Sequence, residues 1–158
     1  MENASSNDVR QGALGDCWFI GALSVLATRD ELLYGSISHL TDPEQIDRNT
    51  AAGISKGVYP PIFHPFAKFG LYVFRFFKNA GWKWVIIDDR LPIRNQEGYK
   101  KDYCFAKCTN PNELWVPLIE KAYAKLHGCY ESLQGGVIDD GLVDLTGLVA
   151  DKSKIEKE

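Results

Sequence analysis

Long apolar runs are missing from this 158-residue chain. The first ten residues, MENASSNDVR, lack the apolar core of a signal peptide. The longest apolar stretch, residues 18–27, is interrupted by Ser24 and is far too short to span a bilayer. Positive charge is not in excess either. Eighteen Lys and Arg stand against 21 Asp and Glu, a net charge of -3. That balance gives no general reason to expect nucleic acid or an anionic membrane as partner. Four cysteines are too few to require a disulfide framework in a chain of this size, so free thiols are expected. There is no internal repeat and no low-complexity tract. These absences leave an intracellular, cytoplasmic protein as the expectation, with enough length for one domain and a real core.

What is present reads as a mixture of helices and strands. From Asp16 an apolar surface recurs at helical spacing through Ile20, Leu23 and Ala27, with Asp16 placed to cap the first turn. Residues 38–68 carry five prolines or glycines before Pro65 and read as a long loop with at most a short helical turn. LYVFRFF (71–77) and WKWVIID (82–88) read as a hairpin joined by KNAG, with Gly81 near the turn. Residues 112–127 carry an apolar stripe at spacings of three and four, stopped by Gly128, with Pro117 delaying the regular helix to about Val116. The segment ESLQGGVIDDGLVDLTG reads as a Gly-Gly turn followed by a short apolar run.

The chemistry concentrates in QGALGDCWFIGAL, residues 11–23. Cys17 stands at a helix start, where free amides and the helix dipole stabilise a thiolate, the reactive form of cysteine. The same amides can hold an oxyanion formed when a thiolate attacks a carbonyl. The Cys17 amide would supply one donor and the uncharged side-chain NH₂ of Gln11 a second. Gly12 and Gly15 let the backbone turn tightly enough to bring the two together. Asp16 works against a thiolate unless it is turned into the cap. The alternative is a buried cysteine that merely opens a helix.

This segment resembles the active-site segment of the calpain family of papain-like cysteine proteases. WKWVIIDDRLP (82–92), NELWVPLIEKAYAKLHGCYESLQGG (112–136) and GLVDLTG (141–147) resemble the same family in the same order. The resemblance implies an α+β, papain-like fold, of which this chain is the mainly helical first half with a small β-hairpin. It implies that residues 1–150 form the first subdomain of a protease core, with 151–158 a charged tail or linker. Cys17 matches the family's nucleophile and Gln11 its oxyanion-hole glutamine. Trp18 matches the tryptophan after the nucleophile, which is structural and is expected on the substrate-facing side with Cys17 and Gly136. Gly136 matches the glycine whose backbone pairs with extended substrate. Asp8 and Glu113 match carboxylates that bind a regulatory Ca²⁺ ion, a site completed in the family by backbone carbonyls that here would come from residues 1–3. Protein substrates are implied, and so is a second subdomain carrying the catalytic His and Asn. His39, His64 and His127 lie outside any segment resembling the family's histidine motif. This half is therefore expected to be inactive alone.

Three departures from the family pattern stand out. Leu148 follows Gly147 where the family has a second glycine. Ser6 replaces an arginine found in many animal members, and residues 38–68 form a longer loop. A rival class is a non-catalytic calcium-binding or scaffold module that keeps the fold. A zinc site from Cys104, Cys108, His127 and Cys129 is disfavoured because the second pair is too closely spaced. The aromatic hairpin lacks a basic groove and reads as core rather than as a stacking platform for single strands.

Overall fold

The computed structural model describes residues 4–35, 57–95 and 101–153. His39 and the carbonyls of residues 1–3 lie outside these, as does most of the long loop. The described elements are helices and three two-stranded antiparallel sheets, the α+β class expected.

Helix α1 (Cys17–Leu26) is almost wholly apolar and buries Phe19, Ile20, Ala22, Leu23 and Leu26. One further turn, α2 (Asp30–Leu33), follows it. The central helix α3 (Trp115–His127) is buried along nine consecutive or near-consecutive positions from Trp115 to Ala124. The two long helices meet where the Phe19 ring stacks on Tyr123, 3.9 Å apart and 4° from parallel. Pro117 is no obstacle, and α3 starts at Trp115 rather than Val116. Pro117 is its third residue, where a backbone N–H would have no intrahelical acceptor. Gly128 ends the helix at φ 105°, a conformation that only glycine adopts easily.

Strands β2 (Leu71–Lys78) and β3 (Gly81–Asp88) pair antiparallel from Leu71↔Asp88 to Lys78↔Gly81. The turn is made by Asn79 and Ala80, both left-handed at φ 53° and 57°. Two such residues match the right-handed twist of the strands. Gly81 therefore begins the second strand instead of making the turn. On β3, Val85 and Ile87 are buried while Trp84 and Ile86 are exposed, the period of two expected of a half-buried strand. On β2, Val73 to Phe76 are all buried, and the 57–59 segment runs along its outer edge. There Arg75 donates its amide to the Val58 carbonyl and its Nε to the Gly57 carbonyl, both at 2.9 Å. Its guanidinium lies 4.1 Å from the Trp82 ring centre.

Two short ladders close the structure. β1 (Val9–Arg10) pairs with β6 (Lys107–Cys108), and β4 (Ile93–Asn95) with β5 (Lys101–Tyr103). The proline-rich stretch before β2 is more regular than a loop. Pro61–Phe69 forms a nine-residue 3₁₀ helix that carries Pro65 inside it and ends at Gly70.

A fourth helix, α4 (Ile138–Thr146), takes the place of the short apolar run read at 138–146. Gly141 in its middle lowers helix propensity, which hides it in the sequence. The glycine suits a close approach: a Cβ there would lie 3.0 Å from that of Ala22 and 3.4 Å from the Trp18 ring. Asp144 of α4 is buried and accepts from the Tyr123 hydroxyl and from Lys78 Nζ, each at 2.6 Å. That one carboxylate ties α4, α3 and the hairpin together.

Candidate active site

The approach to α1 is fixed by glycine. A Cβ on Gly12 would sit 2.2 Å from the Phe105 carbonyl carbon, so the 11–14 turn can press directly on that backbone. The Ala13 amide then donates to the Cys104 carbonyl at 3.1 Å. Within the turn, Gln11 Nε2 donates to the Leu14 carbonyl at 2.7 Å. The side chain is thereby folded back over the segment that leads into Cys17, and its NH₂ keeps a second hydrogen.

Cys17 is the first residue of α1 and is exposed. The alternative of a buried helix-opening cysteine does not hold. Among the other free thiols, Cys108 is buried and Cys104 half-buried. Burial, with Glu113 and Asp8 nearby, pushes the Cys108 thiol up to about 11. Among the described residues no group of three or more His, Cys, Asp or Glu side chains is arranged to hold a metal ion, so the zinc reading fails.

Asp16 occupies the cap position but does not cap. Its backbone carbonyl accepts from Phe19 and Ile20 at 2.9 and 3.1 Å, while its side chain makes no bond to the first-turn amides. The carboxyl is instead turned into the interior, fully buried, within hydrogen-bonding reach of Glu120 on α3. Sequence reasoning missed Glu120. The signal was available, for Glu120 is an acid on the buried stripe between Val116 and Tyr123.

The loop after α3 packs beside the start of α1. The Gly135 amide donates to the Gly15 carbonyl at 2.9 Å. Trp18 Nε1 donates to the Leu133 carbonyl, also at 2.9 Å. Gly136 lies flat against the Trp18 indole, where a Cβ would be 2.4 Å from the ring. The structure thus brings Gln11, Cys17, Trp18 and Gly136 together through Gly15 and Leu133. Trp18 is half-buried, whereas Cys17 and Gly136 are exposed.

Both described histidines are held by local contacts. His64 Nε2 donates to the Tyr59 carbonyl at 3.1 Å and stacks on the Tyr59 ring; burial lowers its pKa. His127 Nδ1 donates to the Tyr123 carbonyl at 3.0 Å.

Asp8 and Glu113 lie on either side of the β1–β6 ladder. Asp8 Oδ2 accepts the Ser5 amide at 2.8 Å, and its backbone carbonyl accepts the Thr109 amide at 2.8 Å. Glu113 Oε1 accepts from Asn110 Nδ2 at 2.9 Å, while its Oε2 is buried with no partner. A buried carboxylate oxygen without a donor suits a hard cation, so Glu113 fits as one ligand of an oxygen-ligated site.

The comparisons with known proteins agree with this geometry. Residues 1–158 match the family described as calpain family cysteine protease. The chain is 40% identical over 157 residues to Calpain-5 of Caenorhabditis elegans and 35% identical over 154 residues to the Calpain-2 catalytic subunit of Mus musculus. It is 38% identical over 145 residues to the calpain-type cysteine protease DEK1 of Zea mays. These alignments cover 99%, 98% and 92% of this chain, but only 21%, 18% and 5% of the relatives. No helix among the described residues is long and apolar enough to cross a membrane. The chain belongs to the calpain family of cysteine proteases.

Proposed function

We propose that this chain is the nucleophile-bearing subdomain of a calcium-dependent, calpain-type cysteine endopeptidase. The observation that carries the reading is an exposed Cys17 on the uncapped first turn of α1, with the Gln11 amide pinned across the preceding turn. Residues 1–150 are the subdomain, and 151–158 a charged tail.

In the reaction, the Cys17 thiolate attacks the carbonyl carbon of a peptide bond. A C–S bond forms and the carbonyl electrons move onto oxygen. The Cys17 amide and the free Gln11 N–H hold that oxyanion. Collapse breaks the C–N bond, and the amine leaves with a proton returned by the base. Water then gives one proton to the base as its oxygen attacks the thioester carbonyl, and the C–S bond breaks to release the acid and restore the Cys17 thiolate. His64 and His127 are engaged with the carbonyls of Tyr59 and Tyr123, which supports a base, with its orienting Asn, supplied by a second subdomain. The apolar rim of exposed Val137, Ile138, Leu148 and Val149 supports such a docking partner. Alone, this half holds substrate without completing the proton transfers. The backbone of Gly136, backed by Trp18, pairs with an extended protein substrate. Asp8 and Glu113 would contribute two of the six to eight oxygens that Ca²⁺ takes, adding a fixed positive charge to the β1–β6 corner. The protein acts in the cytoplasm.

An epoxide or iodoacetamide probe tests the nucleophile. Cys17 is expected to label faster than Cys104, and equal rates would sink the assignment in favour of a scaffold module. Calorimetry with Ca²⁺ on wild type and Asp8→Ala tests the metal site, where equal affinity in both would remove Asp8 from it.

A further inference from the structure

Behind the nucleophile lie two buried acids with no cation. Asp16 is fully buried and Glu120 is 1% exposed. Both oxygens of Asp16 lack any N–H or cationic donor. The two oxygens of Glu120 share one donor, the Ala106 amide, at 3.2 and 2.9 Å. Two ionised carboxylates cannot stay adjacent in the interior without a cation. One proton between them resolves both problems, because a protonated carboxyl is the donor that Asp16 lacks. The remaining titratable neighbours are Tyr130 from the turn after α3, which itself faces Cys104 from the segment before β6, and Cys17, next to Asp16 in the chain; no lysine or arginine among the described residues forms an ion pair with either acid. Burial, then the contact with Asp16, pushes Glu120 up to about 9, and burial raises Asp16 as well.

An aspartate at a cap position ordinarily turns its carboxylate onto the first-turn amides. Here it does not, and Glu120 is the acid beside it. We propose that Asp16 and Glu120 share one proton, and that Glu120 is a positioning residue that holds the Asp16 carboxyl in the interior, away from the first-turn amides that serve the reaction at Cys17. This rests on the reading of Cys17 as the nucleophile. Without the latch, Asp16 would cap the helix. Its charge would then lie beside the thiolate and compete with the oxyanion for the amide field.

The test has two readouts. Carboxyl ¹³C NMR titration of the wild-type chain should show Glu120 losing its proton well above the ordinary range, and Asp16→Asn should bring that titration down. An ordinary Glu120 titration, or one unchanged in Asp16→Asn, would overturn the shared proton. The second readout is the pH profile of Cys17 alkylation by iodoacetamide. Glu120→Leu should slow labelling at neutral pH roughly tenfold, as its profile moves up by about one unit. Glu120→Gln, which keeps a donor for Asp16, should label at the wild-type rate. Removing the freed carboxyl in Asp16→Ala/Glu120→Leu should restore the rate. A wild-type profile in Glu120→Leu, or no recovery in the double variant, would overturn the positioning role. If Glu120→Leu fails to fold, a Glu120→Gln rate well below wild type overturns it equally. The NMR titration is read without Cys17, so an inert wild-type Cys17 would remove the nucleophile reading and leave the shared proton to be decided separately.

Discussion

Asp144 and Glu120 are both buried acids that meet α3, and they are satisfied in opposite ways. Asp144 takes a hydroxyl hydrogen from Tyr123 and an ion pair from Lys78. Glu120 has no cation and faces a second acid. The first arrangement holds a negative charge in place and pins α4 and the hairpin to α3. The second holds a proton, and it lies directly behind Cys17. The difference teaches where this fold places structural polarity and where it places reactive polarity. The charge that fastens the scaffold is neutralised by a lysine. The charge beside the nucleophile is halved by a hydrogen.

Removing the fastening carboxylate should give the largest effect. Asp144→Ala leaves the Tyr123 hydroxyl buried without an acceptor and should cost about 2–3 kcal/mol in urea denaturation, allowing for the partial exposure of Lys78. A loss below about 0.5 kcal/mol, the scale of a neutral surface change, would show that the two acid sites are equally dispensable.

Next in size is a pH effect confined to the other site. Glu120 is raised from 4.5 to about 9 in the folded chain. The native state therefore binds more protons than the unfolded state across that window, and stability falls as pH rises through it, levelling above about 9. The raised Asp16 adds a decline of the same sign. Glu120→Gln should flatten the curve between pH 4.5 and about 9, the window bounded by those two values. Asp144→Ala should keep the slope. A wild-type slope in Glu120→Gln would erase the contrast between the sites.

The smallest effect is the finest test. Tyr123→Phe removes one hydrogen bond but leaves the Lys78 pair, and should cost about 1 kcal/mol. It should leave Cys17 labelling at the wild-type rate. Slowed labelling would mean that the scaffold acid also tunes the nucleophile.

The contrast also explains what the sequence made legible. The 71–88 hairpin could be read within one residue at each end, because aromatic and β-branched residues fill both strands and β3 buries alternate positions. Helix α3 was visible through its apolar stripe. Helix α4 was not, since a glycine and three acids interrupt its pattern, and the close packing at Gly141 comes from Ala22 and Trp18, far away in the chain. Family motifs singled out Gln11, Cys17, Trp18 and Gly136, and the structure places them near one another around the start of α1. Local rules misplaced the Asp16 side chain. Capping preference is a local rule, and a buried acid from another helix overrides it. Such a partner cannot be read from spacing along the chain, although an acid on an otherwise buried stripe marks its position.

Trp18 gathers these contacts into one side chain. Its indole nitrogen holds the Leu133 carbonyl, its face carries Gly136, and its edge meets Gly141. The residue next to Cys17 is therefore an optical gauge of the packing between α1, α4 and the 133–136 loop. In a variant that keeps Trp18 as the lone tryptophan, its emission would register any lifting of that loop from the indole.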